Sequence, residues 1–305
     1  MQMQSSPKCR QCGSTRVKNL GRIPDGTSFA GQTLSPPWDG GSLYSCTHCH
    51  LGFRHPIRPM LEYERLYENA SENLWTSGDL REDQRRVKLR ISERLSTGRV
   101  LDVGCYDGAL LYDLRPGIRK FGVEASLAAA RSAQAKGVDV IARRIEDIER
   151  LEIQFDAICA VDVIEHVEKP KEFLTLLARR LTQDGFLIVS TGTLDSDAWR
   201  YAGGRYWYSS TPEHISFISI PWAHAAAAEI GLAVDSQEVF SYLRCDEGEA
   251  TAERKAYFSA VRRSNAKMAL ISLLPGKLGR IAPRTAKGRA GLFEDHMILV
   301  FSKRQ

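Results

Sequence analysis

The spacing of hydrophobic and polar residues changes near Arg99. Beyond this point, short apolar runs alternate with segments in which apolar residues recur every three or four positions. The runs predict five strands, at 99–104, 120–125, 138–142, 155–161 and 185–191. The segments that separate and follow them predict helices near 108–114, 126–136, 170–182 and 221–230. Nearly continuous apolar strands that alternate with helices indicate a parallel sheet covered on both faces.

Helical spacing also occurs ahead of the first strand, in residues 59–98. The pattern there predicts a helical connector, and its charged residues, from Arg81 to Lys88, predict a solvated helix face. Within the later region, Ser126 is placed to cap helix 126–136 at its start, and Gly137 ends that helix.

The end of the chain predicts a terminal antiparallel strand pair, formed by residues 232–243 and 295–303. An insertion at 246–293 separates the two strands and carries ten Lys or Arg residues between positions 254 and 289. A basic amphipathic segment is typical of contacts with an anionic surface or with RNA, and it is equally compatible with a helical lid whose charges lie in water.

Length and composition permit one α/β domain and a smaller unit. The 305 residues are 43% hydrophobic and 26% charged, and the net charge of +5 does not demand a polyanionic partner. No run approaches 18 apolar residues, and the first residues have neither a basic start nor an apolar stretch. We therefore expect no transmembrane segment, no signal peptide and a cytoplasmic location.

Four of the seven cysteines form two C-x-x-C pairs, Cys9 with Cys12 and Cys46 with Cys49. The 33 residues between the pairs contain too few apolar residues for a core of their own. Four thiolates around one Zn²⁺ would supply the missing stability, so we expect a structural zinc site in a module at 1–58. A redox-active pair and an iron centre are the alternatives.

The turn after the first strand carries the strongest chemical signal. Asp102 precedes Gly104, and Gly108 follows four residues later. A strand, a glycine turn and a helix together bring bare backbone up to a nucleotide-like ligand. A dinucleotide site would need glycine at 104, 106 and 109, where this chain has Gly104, Tyr106 and Ala109, and the sequence contains no P-loop motif.

This turn resembles the first motif of class I S-adenosylmethionine (SAM)-dependent methyltransferases, D/E-x-G-x-G-x-G, with Tyr106 in place of the middle glycine. The segment 155–167 resembles the same family around its fourth strand, through the residues Glu165-His166-Val167, and 185–190 resembles its glycine-led fifth strand. The N-terminal cysteines further resemble methyltransferases of type 11 or 23 that carry zinc and modify sugars or other small molecules.

Two acidic residues are candidates for specific cofactor contacts. Glu124 ends the second strand 20 residues after Gly104, where an acid of a nucleotide-binding fold accepts hydrogen bonds from ribose hydroxyls. Near the adenine, the family usually places an acid at the position that Arg144 occupies here, and Glu146 lies two residues later. The complete set of expected cofactor-binding residues is Asp102, Gly104, Cys105, Tyr106, Gly108, Glu124, Ala125, Glu146 and Asp162.

The acceptor side is expected in the segment after the fifth strand. Five aromatic residues occur between Trp199 and Tyr208, and the resemblance implies that this loop lies over the methyl-accepting pocket. A neutral histidine suits the deprotonation of a hydroxyl acceptor near pH 7, which makes His214 and His166 the catalytic candidates. His166 is alternatively a structural part of its turn. In some O-methyltransferases that share this segment a divalent ion is held by residues matching Asp162, Glu165 and His166.

The sequence thus predicts a Rossmann-like SAM-methyltransferase sheet, of parallel strands with a terminal antiparallel strand pair, and a small N-terminal zinc-ribbon-like module. The expected divisions are 1–58 for the module, 59–98 for the connector, 99–245 for the methyltransferase domain, 246–293 for the insertion and 294–305 for the final strand. The expected reaction is methyl transfer to a small-molecule or glycan-precursor acceptor, by O-, N- or C-methylation. The alternatives are an RNA methyltransferase and a non-catalytic protein that binds SAM or acts through its zinc module. The oligomeric state does not follow from the sequence.

Overall fold

The computed structural model describes residues 7–68, 70, 80–242, 247–272 and 293–304. Its strands are β1 (Val17–Arg22), β2 (Gly26–Phe29), β3 (Gln32–Trp38), β4 (Ser42–Cys46), β5 (Gly52–His55), β6 (Gly98–Val103), β7 (Ile118–Val123), β8 (Asp139–Ala142), β9 (Phe155–Val161), β10 (Leu181–Gly192), β11 (Ser216–Phe217), β12 (Leu232–Phe240) and β13 (His296–Lys303). Its helices are α1 (Met60–Glu68), α2 (Glu82–Arg94), α3 (Leu127–Ala135), α4 (Pro170–Arg179), α5 (Asp197–Ala202), α6 (Trp207–Ser210), α7 (Ile220–Glu229) and α8 (Glu247–Ser272).

Seven strands form the central sheet, in the order β12-β13-β10-β9-β6-β7-β8. The five strands from β6 to β10 are mutually parallel, whereas β13 runs antiparallel to both of its neighbours. The predicted Rossmann-like methyltransferase sheet is therefore confirmed, including the antiparallel pair at its end.

Alternate residues of the central strands supply two separate cores. In β6, Leu101 and Val103 face one core, which α4 and α7 cover, and Val100 faces the other, which α2 and α3 cover. Burial on both faces explains why these strands are apolar nearly throughout. At α3, the Ser126 side chain accepts a hydrogen bond from the amide of Ala129, as the predicted N-cap requires.

The predicted helix at 108–114 is wrong. The segment forms successive turns instead, with i to i+3 hydrogen bonds from Gly108 to Cys105, Leu111 to Gly108 and Leu114 to Leu111. Only seven residues separate Gly108 from Pro116, and proline disfavours helical geometry in the residue before it. The apolar residues nevertheless reach the core through these turns, since Leu110, Leu111 and Leu114 are all buried.

The solvated helix face predicted from Arg81 to Lys88 is also wrong for its acidic members. Glu82 and Asp83 are buried, because each lies against a guanidinium: Glu82 pairs with Arg86 at 2.7 Å, and Asp83 pairs with Arg81 at 3.0 Å. Arg86 also pairs with Glu238 of β12. Paired charges can be buried where single charges cannot, and a charge pattern alone does not reveal a partner that is distant in sequence.

The N-terminal strands form a second sheet that includes a strand from the far half of the chain. Its order is β1-β4-β5-β11, and all its pairings are antiparallel. In the pairing of β5 with β11, Phe53 lies opposite Ser216 and Gly52 opposite Phe217. A separate hairpin, β2–β3, packs against α1 through Phe29, which contacts Tyr63 and Tyr67.

The beginning of the predicted basic insertion is a helix. Within α8, Tyr257 and Val261 are buried in a cluster with residues of α5, and the ring of Phe258 lies 4.4 Å from that of Tyr201. Residues 243–246, with Cys245, and 273–292 lie outside the described part of the chain. None of the helices in the described ranges combines the length and the apolar character needed to cross a bilayer.

Candidate active site

A cleft of about 2190 Å³ lies at the carboxyl ends of β6, β7 and β9, which is where parallel sheets bind their ligands. One wall contains seven of the predicted cofactor residues: Asp102, Gly104, Cys105, Tyr106, Ala125, Glu146 and Asp162. The cleft is also lined by residues of the N-terminal hairpin, of α1 and of the segment after β10: Ser28, Ala30, Tyr63, Tyr67, Tyr208 and His214. The structure therefore brings the two predicted halves of the site together.

The turn after β6 has the backbone shape that its glycines predict. Gly104 has φ +75°, and its amide donates to the carbonyl of Val123 over 2.9 Å. A Cβ at this glycine would lie 2.8 Å from the Cγ2 of Val163, so no larger residue fits without displacement. Tyr106 also has a positive φ, +46°, at the position where the resembled family has its middle glycine. The departure from the motif therefore keeps the glycine-like conformation.

The side chain of Glu124 stabilises this turn through hydrogen bonds to the backbone. One carboxylate oxygen accepts from the amide of Tyr106 at 2.9 Å and the other from the amide of Ser126 at 2.7 Å. Burial raises the pKa of Glu124, and these backbone donors oppose the rise. A carboxylate offers about four acceptor positions, so these two amides do not use all of them. Glu124 and Gly108 are not themselves lining residues of the cleft; they shape the wall that Tyr106 and Ala125 line.

Asp102 is a buried carboxyl at the base of the turn. Burial raises its pKa to about 7, and a hydrogen bond from the Cys159 thiol, 3.4 Å away, opposes that rise. A carboxyl group with a pKa near neutrality changes its protonation state readily when the charge beside it changes.

Arg81 is a site residue that the sequence did not reveal. Its guanidinium lies 3.0 Å from Asp162, which follows β9 with φ +52°, and 3.0 Å from Asp83. Among the described residues, two buried atoms of this group have no hydrogen-bond partner, the donor Nε of Arg81 and the acceptor Oδ1 of Asp162. One unsatisfied donor and one unsatisfied acceptor beside a cleft complement a zwitterionic ligand.

Glu146 lies at the open edge of the cleft. Its side chain is 75% exposed, and a carboxylate oxygen is 3.7 Å from the Nε of Arg144. Arg144 itself pairs with Glu64 of α1 at 2.9 Å, so this edge joins the sheet to the first helix.

The aromatic loop divides between core and cleft. Trp207 and Tyr208 line the cleft, and Tyr208 also belongs to the buried cluster that contains Trp199 and Tyr206. The fifth ring, that of Tyr201, packs against α8. Only two of the five aromatic residues can therefore contact a ligand in the cleft, because ring composition alone does not separate the two environments.

Both predicted histidines line the cleft, with ring centroids 5.0 Å apart. The Nδ1 of His214 is 2.8 Å from the carbonyl oxygen of Tyr208. A carbonyl only accepts hydrogen bonds, so Nδ1 carries the proton and Nε2 of the neutral ring keeps its lone pair. Burial lowers the pKa of His214 well below its usual value, and the neighbouring His166 lowers it further. His214 is therefore neutral at pH 7 with one basic nitrogen. His166 is held by the hydroxyl of Tyr67, 2.8 Å from its Nδ1.

Glu165 is buried beside these histidines, and both oxygens of its carboxylate accept hydrogen bonds from hydroxyl groups. Thr191 donates to one oxygen at 2.9 Å, and Tyr208 donates to the other. The ligand atoms of Glu165, His166 and His214 lie within 4.8 Å of one another, whereas Asp162 pairs with Arg81. The residues do not fit the divalent site expected from the resemblance, because its three members do not converge and the central carboxylate already accepts two hydroxyls.

His296 of β13 is a second residue that the sequence did not reveal, since its segment reads only as a strand. It lines the cleft and pairs with Asp295, with 3.0 Å between Nδ1 and the carboxylate. This pairing raises the pKa of His296 against the opposing effect of burial. The ring packs against Tyr208 and Tyr242, so a buried pair of an aspartate and a histidine lies beside these two tyrosines.

The four N-terminal cysteines converge. The sulfurs of Cys9 and Cys49 are 3.6 Å apart, as are those of Cys12 and Cys46, and all four lie within 4.8 Å of one another. Four sulfurs around a zinc ion at its usual bond length of about 2.3 Å are separated by about 3.8 Å. The residues therefore fit a tetrahedral zinc ion with no open position.

Comparisons with known proteins identify the domain family of this chain. A family model described as "Methyltransferase domain" matches residues 77–237, which is more than half of the chain. A mitochondrial ubiquinone biosynthesis O-methyltransferase of Dictyostelium discoideum is 33% identical over 110 residues, covering 30% of this chain and 34% of the relative. The ubiquinone biosynthesis O-methyltransferase of Bradyrhizobium diazoefficiens is 37% identical over 100 residues, covering 30% of this chain and 39% of the relative.

The chain spans about a third to a half of the length of the curated relatives it matches. Among solved structures, a SAM-dependent methyltransferase of Geobacter sulfurreducens in complex with S-adenosyl-L-homocysteine superposes with a TM-score of 0.46 at 17% identity. That superposition covers 81% of this chain and 99% of the other.

Proposed function

Because this chain belongs to the methyltransferase domain family, we propose that it transfers the methyl group of SAM to a hydroxyl oxygen of a small-molecule acceptor. The observation that carries this proposal is His214, a neutral histidine with a basic nitrogen in the cleft that the cofactor turn also lines. A hydroxyl acceptor needs a base as it attacks a methyl carbon, whereas an amine that is already neutral does not.

The residues of the turn fit SAM. When bound, SAM supplies a methyl group made electrophilic by a positively charged sulfur. We assign the nucleoside end to the turn and to Glu124, whose carboxylate can accept hydrogen bonds from the ribose hydroxyls in addition to those from the backbone amides. Arg81 and Asp162 suit the amino-acid end, since the unsatisfied Nε would donate to a carboxylate and the unsatisfied Oδ1 would accept from an ammonium group. Glu146 is assigned to the adenine side.

On the acceptor side, we assign His214 the removal of the hydroxyl proton through its Nε2. His166, fixed by Tyr67, orients the acceptor beside it. Trp207 and Tyr208 exclude water from this part of the cleft, which strengthens the interactions within it. No part of this assignment depends on a divalent ion.

For the N-terminal cysteines we propose a structural zinc ion, bound by Cys9, Cys12, Cys46 and Cys49. We retain the divisions predicted from the sequence, namely 1–58, 59–98, 99–245, 246–293 and 294–305, as the proposed organisation of the chain. A cytoplasmic location is part of the same proposal.

The acceptor class follows from the relatives and from the cleft. The curated relatives are named for a small-molecule O-methylation, and the cleft wall combines aromatic rings with histidines and hydroxyls, which suits a small hydroxylated ring compound. This supports a small-molecule acceptor, including a sugar or glycan precursor, over RNA and over a non-catalytic function.

The test combines labelling with cofactor binding. Purified protein is incubated with methyl-labelled SAM and a fractionated lysate, and the label is then located among small metabolites, glycans, lipids and RNA. We expect label in small hydroxylated compounds, bound through an ether that resists mild base. Label in RNA would establish the second function, and binding of SAM without turnover in any fraction would establish the third.

Binding is measured by calorimetry with S-adenosylhomocysteine. Glu124→Ala is expected to weaken binding by about 10- to 100-fold, because hydrogen bonds to a charged group contribute about 1.5–3 kcal/mol. Glu152→Ala is the matched control, since Glu152 is exposed, and it should bind as wild type does. Equal affinities for the two variants would contradict the assignment of Glu124.

A further inference from the structure

A buried arginine of the N-terminal sheet reaches the acceptor side of the cleft. Arg54 lies on β5 and is only 4% exposed. Its Nε donates to the carbonyl of His214 over 3.0 Å, and its Nη2 donates to the carbonyls of Ser209 and Thr211 over 2.6 and 2.8 Å. Its Nη1 donates to the carbonyl of Gly40 over 3.2 Å. One guanidinium therefore joins three carbonyls of the segment 209–214 to the N-terminal sheet.

The same segment determines where the imidazole of His214 lies. Tyr208, whose carbonyl accepts from the His214 ring, immediately precedes Ser209, and His214 follows Thr211 by three residues. The planar guanidinium has five donors in a fixed fork, which match several carbonyls at once. Burial lowers the pKa of Arg54 to about 10, so the group stays charged at neutral pH. Lysine at this position would offer one compact ammonium group and could not reach the same set of carbonyls.

A second guanidinium continues the attachment. Arg10 lies within the first cysteine turn, and its Nη2 donates to the carbonyl of Ile215 over 2.6 Å while its Nη1 donates to the carbonyl of Arg54 over 3.2 Å. The amide of Arg54 also donates to the carbonyl of Ile215. Pairing of β5 with β11 then continues the contact to Ser216 and Phe217. Contacts with the N-terminal sheet and its first cysteine turn thus recur from Ser209 to Phe217.

We propose that Arg54 is a positioning residue for methyl transfer, which holds the segment 209–214 so that the imidazole of His214 faces the acceptor. The proposal rests on the proposed function, because it takes His214 as the base. Arg54 touches neither the turn at Gly104 nor Glu124, so its role concerns the acceptor and the rate rather than the cofactor. Arg10 extends the same support to the cysteine turn.

The test uses the full-length, zinc-loaded protein with Arg54→Lys, which keeps the charge and removes the fork. Since misplacement of a catalytic group by about 1 Å can cost about 100-fold in rate, kcat is expected to fall by at least about tenfold. The KM for SAM and the affinity for S-adenosylhomocysteine should stay within about twofold of wild type, because the cofactor wall is unchanged. Amide hydrogen exchange of residues 209–217, measured by mass spectrometry, should become faster.

Arg22→Lys is the matched control. The guanidinium of Arg22 lies on β1, is 51% exposed and pairs with Asp39. Wild-type behaviour is expected of this variant in every measurement.

Unchanged kcat and unchanged exchange in the Arg54→Lys variant would overturn the proposal. So would a loss of cofactor binding in parallel with kcat, since that indicates general damage. If this variant does not fold, Arg10→Gln decides the question. It removes the guanidinium contacts to the carbonyls of Ile215 and Arg54. A smaller fall in kcat with faster exchange at 215–217 is expected, whereas wild-type values would count against the proposal. If the wild-type protein methylates nothing, the proposed function fails, and the exchange experiment still decides whether Arg54 holds the segment.

Discussion

At the scale of single residues, several polar side chains of this cleft are buried, and burial either shifts their pKa or leaves one of their polar atoms without a hydrogen bond in the described ranges. Asp102 has its pKa raised to about 7, His214 has its pKa lowered, and Arg81 and Asp162 each leave one buried polar atom unsatisfied among the described residues. Such environments are costly to a folded chain, and they are typical of binding and catalytic sites.

His214→Gln is expected to lower kcat by about 10²- to 10⁴-fold, because this is the usual contribution of a positioned general base. Steady-state kinetics at saturating SAM measure the loss, and calorimetry should find the affinity for S-adenosylhomocysteine unchanged. His224→Gln is the control, since His224 is an exposed residue of α7 that contacts Gln237. A kcat within about threefold of wild type would remove His214 from the mechanism.

Asp102→Asn is expected to stabilise the ligand-free protein above pH 7. The pKa of the native carboxyl is raised above its unfolded value, so its contribution to stability is fully present below the unfolded pKa of 3.8 and is lost as pH rises through about 7. The asparagine does not titrate, and it should be about 1–3 kcal/mol more stable than wild type at pH 8. Urea unfolding at pH 5 and pH 8 measures this, and the advantage should shrink at the lower pH. An advantage that is the same at both pH values would contradict the shift.

At the scale of elements, the sequence predicted those whose signal is local. The strands β6, β7, β8, β9 and β10 and the cap of α3 follow from apolar runs and from one serine. The prediction of a helix at 108–114 was wrong. A short apolar run before Pro116 can bury its apolar side chains as a series of turns just as well as in a helix. Nothing local distinguishes the two.

The site residues likewise fall into those that the sequence predicted and those that it missed. Asp102, Gly104 and Asp162 line the cleft as expected, since their positions at strand ends are visible in the pattern. Arg81 and His296 were missed, because their importance depends on partners that the fold brings from distant parts of the chain. In the sequence, a charged residue beside a predicted helix gives the same pattern whether its side chain is solvated or buried. The same is true of a histidine in a predicted strand.

The cysteine turns give a prediction at this scale. Cys12→Ser is expected to reduce bound zinc from one ion per chain to below detection, because three thiolates hold the ion far less tightly than four. The Tm should fall by more than about 5 °C, since binding of a structural zinc contributes directly to folding. Metal content by mass spectrometry and calorimetry measure both effects.

Cys159→Ala is the control for metal content, because Cys159 is a buried thiol that contacts Asp102 and is not a member of the four-cysteine group. It should retain a full equivalent of zinc. A wild-type protein that is purified and refolded with zinc and still contains none would contradict the site.

At the scale of the whole molecule, the two sheets are not independent. β11, which follows segment 209–214, completes the N-terminal sheet, and Arg54 is buried where that sheet meets the segment. A folding unit is defined by its contacts, so we expect both sheets to unfold together.

Scanning calorimetry of the zinc-loaded protein should therefore give a single transition. Removal of zinc with a chelator should move that whole transition to lower temperature, because the same folded state loses a bound ligand. Addition of S-adenosylhomocysteine at 100 times its Kd should move it upward, with a stabilisation of about 2.7 kcal/mol. Two transitions that respond separately, one to the chelator and one to the nucleoside, would show that the sheets unfold independently.

The pairing of β5 with β11 has a consequence for protein engineering. The family match begins at residue 77, so a truncation designed from that match would remove the residues before it. Cutting there would strip one wall from the cleft and leave a two-residue strand with no neighbour to hold it. Conversely, exchanging the first 58 residues for those of another protein would replace the guanidinium that joins segment 209–214 to the N-terminal sheet, so the exchanged sheet would have to supply that support itself.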